Sequence, residues 1–355
     1  MWLKFEPRAE PSRLMTYLSP LLAVGLMFLS GLLLFWVLGK DPIEGFRVFF
    51  LYPMRDAYSI AELFLKATPL MLCAVGLSVG FKANVWNIGA EGQLLIGALA
   101  GGWVALRFEH STSPFLLPAM ILAGAVGGML WAAIPAFLRT RFNANEILTS
   151  LMLVYVAELV VSWLVHGPWK DPDGFNFPQT KVFSAAATLP LMLAGTRVNI
   201  ALLFALGALV AGWVFMNRSF LGYQMKVAGQ AENAGRYAGF SARRSVWFGM
   251  LAGGAMAGIA GIAEVAGPVG QITEKISPGY GFAAMIVAFV GRLSPIGILF
   301  SSLLMAVLYV GGEQAQQYLS LPSSISKVFQ GMLLFFLLGS DVFINFRPRF
   351  VRRRK

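Results

Sequence analysis

Amide and carboxylate side chains set among apolar residues are where this sequence can do chemistry, because each costs free energy unless water, a partner or a ligand meets it. The densest group is Asn84-Val-Trp-Asn-Ile-Gly-Ala-Glu-Gly-Gln93, which places Asn84, Trp86, Asn87, Glu91 and Gln93 within one short segment. Asn87 is placed to cap a following helix, and Glu91, one turn later, would sit at the positive end of that helix dipole. The other reading is a polar kink that lines the inner end of a translocation path. Glu158 lies about twelve positions into the apolar stretch 147–165, where an ionised group costs at least ~2.5 kcal/mol and turns toward a cavity or a partner. It is read either as part of a substrate path or gate, or as a structural pair. Glu264 and Lys66 lie nearer the ends of apolar stretches and are expected to snorkel.

Other chemistries have little to work with. Cys73 is the single cysteine, and the two histidines, His110 and His166, stand far apart with no HExxH or CxxC spacing. No metal centre, no cofactor and no nucleophile constellation is expected. The chain has no GxxxxGK[ST] sequence, the loop that cradles ATP phosphates.

The elements that must position these residues are membrane spans. Of 355 residues 57% are hydrophobic and 13% charged, with mean hydropathy +0.68, against about 25% charged in soluble domains. At about 20 residues per crossing, the length accommodates about ten spans. They are expected at residues 17–39, 63–80, 88–106, 115–138, 147–165, 199–216, 246–266, 281–291, 296–311 and 328–344. The fold class is therefore an all-α polytopic bundle. The stretch 281–291, flanked by Pro278 and by Arg292 and Pro295, is too short for an ordinary crossing and is expected to be broken or re-entrant. Glycine pairs four apart, Gly97 and Gly101, Gly124 and Gly128, Gly254 and Gly258, point to close helix packing.

The net charge of +11 is topological. With the N-terminus inside, 18 of the 28 Lys and Arg residues fall on inner segments, among them Arg243, Arg244 and the run Arg352, Arg353, Arg354, Lys355. The expected arrangement is N-in and C-in, with residues 1–16 as a cytoplasmic segment, 17–346 as the membrane domain and 347–355 as a basic tail. Nucleic-acid binding is not needed to explain the charge. Two connections exceed what a bundle requires, 167–198 outside and 217–245 inside, and long loops tend to be functional. Within the inner one, residues 231–237 suit a short helix bounded by Gly229 and Gly239. It is either a lipid-surface helix or a docking element for a soluble partner.

Five motifs, in order, carry a family resemblance: FKANVWNIGAEGQLLIGA (81–98), NEILTSLMLVYVAE (145–158), GPWKDPDGFNFPQT (167–180), VAGQAENAGRYAGF (227–240) and GPVGQITEKISPGYGFAAMIVAFVGRLSPIGI (267–298). From about residue 63 onward the chain resembles the permease subunit of bacterial ABC importers of the nucleoside and simple-sugar branch. It departs from the common pattern at Val154, Ala231, Ala234 and Gly235.

The resemblance implies an inner-membrane transport subunit without ATPase activity of its own. Its implied partners are an ABC ATPase, a second homologous permease forming a heterodimer, and an extracytoplasmic substrate-binding protein. Gly229, Glu232, Asn233, Arg236, Tyr237 and Gly239 would form the ATPase coupling element. Asn84, Trp86, Asn87, Glu91, Gln93, Asn145 and Glu158 are the expected path residues. Nucleosides are the preferred substrate, with a free base or a simple sugar as alternatives. An ion-coupled secondary transporter using Glu158 and Glu91 is the competing class.

Overall fold

The structure is a computed structural model and describes residues 2–8 and 10–351. In chain order the elements are β1 (Trp2–Pro7), α1 (Arg13–Val37), α2 (Pro42–Phe46), α3 (Ala57–Lys82), α4 (Ala90–Arg107), α5 (Leu116–Phe142) and α6 (Glu146–His166). There follow α7 (Ala201–Arg218), α8 (Phe220–Gln230), α9 (Glu232–Tyr237), α10 (Ala242–Glu264), α11 (Tyr280–Val290), α12 (Pro295–Leu319), α13 (Ile325–Asn345) and β2 (Phe346–Val351). It is an all-α polytopic bundle. Among the described residues eight helices, α1, α3, α5, α6, α7, α10, α12 and α13, are long and apolar enough to cross a membrane. The other two expected spans correspond to α4, polar in its first turn, and α11. At 11 residues α11 is about 16 Å long, half the hydrocarbon thickness, because the break at Pro278-Gly279 and the turn at Arg292 and Leu293 confine it.

The chain divides into two compact units. In the first, residues 1–60 and 307–355, α1 packs against α13 and the terminal strands pair antiparallel, with Glu6 opposite Arg347 in register and in an ion pair at 3.5 Å. That pairing puts both described ends of the chain on one side of the bilayer and requires an even number of crossings. Ser19 Oγ donates to the Asp341 carboxylate at 2.5 Å, so the one acid within α13 is met from α1. Phe35, Phe49 and Phe329 form the aromatic core of this unit, with ring centroids 4.4 to 6.1 Å apart. The terminal basic run, Arg352 to Lys355, lies outside the described residues.

The second unit, residues 61–306, is built around α4, α5 and α10. The glycine pairs read from the sequence meet one another here. A Cβ on Gly97 would overlap the Gly258 backbone, and one on Gly128 would overlap the Gly254 carbonyl, so the three helices approach backbone to backbone. Glu62 in α3 is 7% exposed and takes a two-pronged contact from the Arg197 guanidinium, Nε at 2.9 Å and Nη2 to the second oxygen. Glu264, expected to snorkel, is instead buried, because the last turn of α10 is covered on all sides.

Candidate functional site

The polar segment between α3 and α4 turns back at Asn84, whose φ of 55° is the left-handed conformation that Asn tolerates. Val85 N–H donates to Gly80 O at 2.9 Å and closes the turn. Trp86 Nε1–H donates to Asn84 Oδ1 at 2.9 Å, and the indole stacks beside Phe289 of α11, 5.7 Å between centroids, with Phe81 as the third ring. Asn84 and Trp86 are exposed; Asn87 and Gln93 are 1% exposed. The last two form a closed amide pair: Asn87 Nδ2 donates to Gln93 Oε1 at 2.9 Å and Gln93 Nε2 returns a bond to Asn87 Oδ1 at 3.0 Å. Asn87 Oδ1 also accepts Gly89 N–H at 3.0 Å, while Ile88 N–H reaches Ser150 Oγ of α6 at 3.2 Å. The segment is thus clamped between α6 and α10, where Gly253 leaves room for the Asn87 amide.

Glu91 is 3% exposed and accepts Gly281 N–H on Oε2 at 2.6 Å. Since Glu91 is in the first turn of α4 and Gly281 in the first turn of α11, one carboxylate answers the positive ends of two helices. Ser277 Oγ takes the preceding amides, Gly279 N–H at 3.0 Å and Tyr280 N–H at 2.9 Å. Sequence reasoning missed Ser277 and Gly281, although a serine ahead of a short apolar run is a cap signal.

The remaining path candidates lie apart from this segment. Asn145 caps α6, its Oδ1 accepting Ile147 N–H at 2.9 Å and Leu148 N–H at 3.4 Å, and the adjoining Glu146 pairs with Arg139 of α5. Glu158 stands thirteen residues farther along α6, about 20 Å away by helix rise. It is exposed at the edge of the buried face that Val154, Ala157 and Val161 form, one turn beyond Val154, while Met152 and Leu159 lie on the far side of the helix. A void lined by Leu72, Ala201, Phe204 and Ile262 has about 10 Å³, room for about one water.

Residues 217–245 hold two helices rather than one. Ser219 caps α8, accepting Gly222 N–H at 3.0 Å. Gly229, expected as a boundary, lies inside α8: a Cβ there would stand 2.5 Å from Lys82 O, so glycine is required for close approach to the end of α3. Met225 of α8 joins Val79, Ala83 and Val85 in one apolar cluster with Val246 and Met250 of α10. Beyond α8, the six-residue α9 is closed by Gly239, φ 78°, with Phe240 N–H on Gly235 O at 2.9 Å. Asn233, Arg236 and Tyr237 are exposed, Tyr237 at 97%. Glu232 opens α9, and its side chain lies outside the described part.

The long connection 167–198 is stitched down. Thr180 N–H donates to Ile272 O at 2.9 Å, Phe183 N–H to Gly270 O at 2.8 Å, and Asp171 N–H to Gln179 O at 2.8 Å. Beside it a cleft of about 350 Å³ is lined by Trp103, Arg107, Trp169, Lys170 and Lys181, the last paired with Glu109 at 3.2 Å.

Membrane-crossing helices, a clamped polar turn and an exposed short helix fit a transport subunit, and the family model for the branched-chain amino acid transport system permease component matches residues 59–338. The chain belongs to this family. Among similar proteins, the glucose ABC transporter permease protein TsgB13 of Haloferax volcanii is 38% identical, covering 97% of this chain and 93% of its own. The nucleoside ABC transporter permease protein NupB of Lactococcus lactis is 31% identical over 90% of each chain. The guanosine ABC transporter permease protein NupP of Bacillus subtilis is 28% identical over 92% of this chain and 94% of its own. This permease is of the nucleoside and simple-sugar type of ABC importer, a multi-pass inner-membrane protein. Its family implies an ATPase subunit and a substrate-binding protein as partners.

Proposed function

We propose that this permease passes nucleosides, delivered by an extracytoplasmic binding protein, along a path it shares with a second, homologous permease, and that α9 receives the work of ATP hydrolysis from the partner ATPase. The chain itself has no ATPase activity in this reading. The observation that carries it is the exposure of Glu158: a carboxylate in mid-span, open at the edge of its helix's packed face, is too costly against lipid, and a water-lined path between two permeases removes the cost. Asn84 and Trp86, the accessible members of the polar segment, would meet substrate at one end of that path. The partly exposed Trp86 ring, backed by Phe289 and Phe81, offers a nucleobase a stacking face. Tyr237, Arg236 and Asn233 supply the docking contact, with N-in and C-in orientation placing them in the cytoplasm.

A second reading, a hexose as substrate, is favoured by the 38% identity to the glucose permease. Uptake into proteoliposomes holding the complete complex distinguishes the two. Labelled guanosine or uridine should accumulate with ATP inside and be displaced by unlabelled nucleosides but not by glucose. Glucose uptake that nucleosides leave untouched overturns the nucleoside assignment.

A further inference from the structure

A further cavity lies where α8 meets the start of α10, and it has no part in the path described above. It has about 310 Å³ and is walled by Leu221, Met225, Phe240, Trp247 and Phe248, with Arg244 the one charged residue among its lining. Trp247 is held as a firm wall, its Nε1–H donating to Thr140 Oγ1 of α5 at 3.2 Å. The neighbouring arginine is differently employed: Arg243 Nη2 donates to Thr140 O at 3.2 Å. The Arg244 guanidinium has no hydrogen-bond or ion-pair partner among the described residues. Both arginines stand in the first turn of α10, the positive end of its dipole, with no acidic residue in that turn to offset them. Because α10 is one of the membrane-crossing helices, this cationic, apolar-walled cavity lies at a membrane edge, and Leu221 and Phe248 are exposed at its rim.

An anion with an apolar body is the complement of such a cavity. We propose that it binds an anionic phospholipid, the headgroup phosphate on the Arg244 guanidinium and the upper acyl chain against Leu221, Trp247 and Phe248. A free phosphate would leave the apolar wall unfilled, and a neutral phospholipid carries a second, positive group toward Arg244. Gly239, Phe240 and Ser241, the residues that connect α9 to α10, also line the cavity, so a bound lipid steadies the root of α9.

The test is native mass spectrometry of the full chain released from detergent with equimolar phosphatidylglycerol and phosphatidylcholine of the same acyl chains. Wild type should retain phosphatidylglycerol about tenfold over phosphatidylcholine, the discrimination of one charge-assisted contact. Arg244→Gln should bring the ratio near parity, and Arg243→Gln should keep it. No preference in wild type overturns the proposal. So does an equal loss in both variants, which would mean diffuse charge attraction, and so does displacement of phosphatidylglycerol by inorganic phosphate, which would mean a site for the free anion.

Discussion

The Glu91 carboxylate accepts the Gly281 amide at 2.6 Å, across 190 residues of sequence, and so joins the first turns of α4 and α11. Glu91→Ala should leave that buried N–H without its acceptor and cost about 1–3 kcal/mol. Glu91→Gln, which keeps an acceptor oxygen, should cost about half as much. Thermal unfolding of the purified chain checks the order. Equal melting of all three proteins rejects a structural role for the contact.

Gly229 fixes α8 to the last carbonyl of α3, two residues from Asn84. Gly229→Val should force those elements apart and lower substrate-stimulated ATPase activity of the complex by about tenfold, with ~1–3 kcal/mol of overpacking strain as the source. The measurement is ATPase rate with and without substrate. Full stimulation in the variant rejects the link.

Replacing Arg236 and Tyr237 together by Ala removes the two large exposed side chains of α9 while touching no packed core. Assembly into the membrane should be unchanged and uptake should fall at least about tenfold, the equivalent of ~1.4 kcal/mol at a docking contact. Wild-type uptake in the reconstituted complex sinks the docking assignment.

Glu158→Gln keeps shape and hydrogen bonding and removes charge. It should lower uptake several-fold or alter the order of nucleoside preference at constant complex yield. If Glu158→Gln and Glu158→Leu both transport like wild type, the residue faces no path.

In a Cys73→Ser background, a cysteine at Asp173 should react with an impermeant maleimide from outside and one at Ser241 only from inside. The reverse pattern overturns the N-in and C-in orientation.

Much of the bundle was legible because apolar run length alone distinguishes a span, and the glycine pairs announced their contacts by spacing. Two things were not. Glu91 and Glu158 look alike in sequence, each an acid near apolar residues, yet one is sealed against Gly281 and the other lies open. Which face a helix covers depends on partners distant along the chain, and no local pattern carries it. Gly229 was read as a break since glycine often is one, whereas here the missing Cβ makes room for Lys82 O. The terminal strands had a signal that went unused: Leu3 and Phe5 alternate with Lys4 and Glu6, the period of a strand.

The β1–β2 pairing also imposes an order of assembly. β1 and α1 leave the ribosome well before α13 and β2, which complete their unit. At about 5–20 residues per second the interval is tens of seconds. Throughout it α1 has α2 and the neighbouring phenylalanines to pack on but not α13. Truncation before α13 therefore damages a segment made far earlier, and a nascent-chain quality-control factor that reads incompletely packed helices would find its substrate in α1.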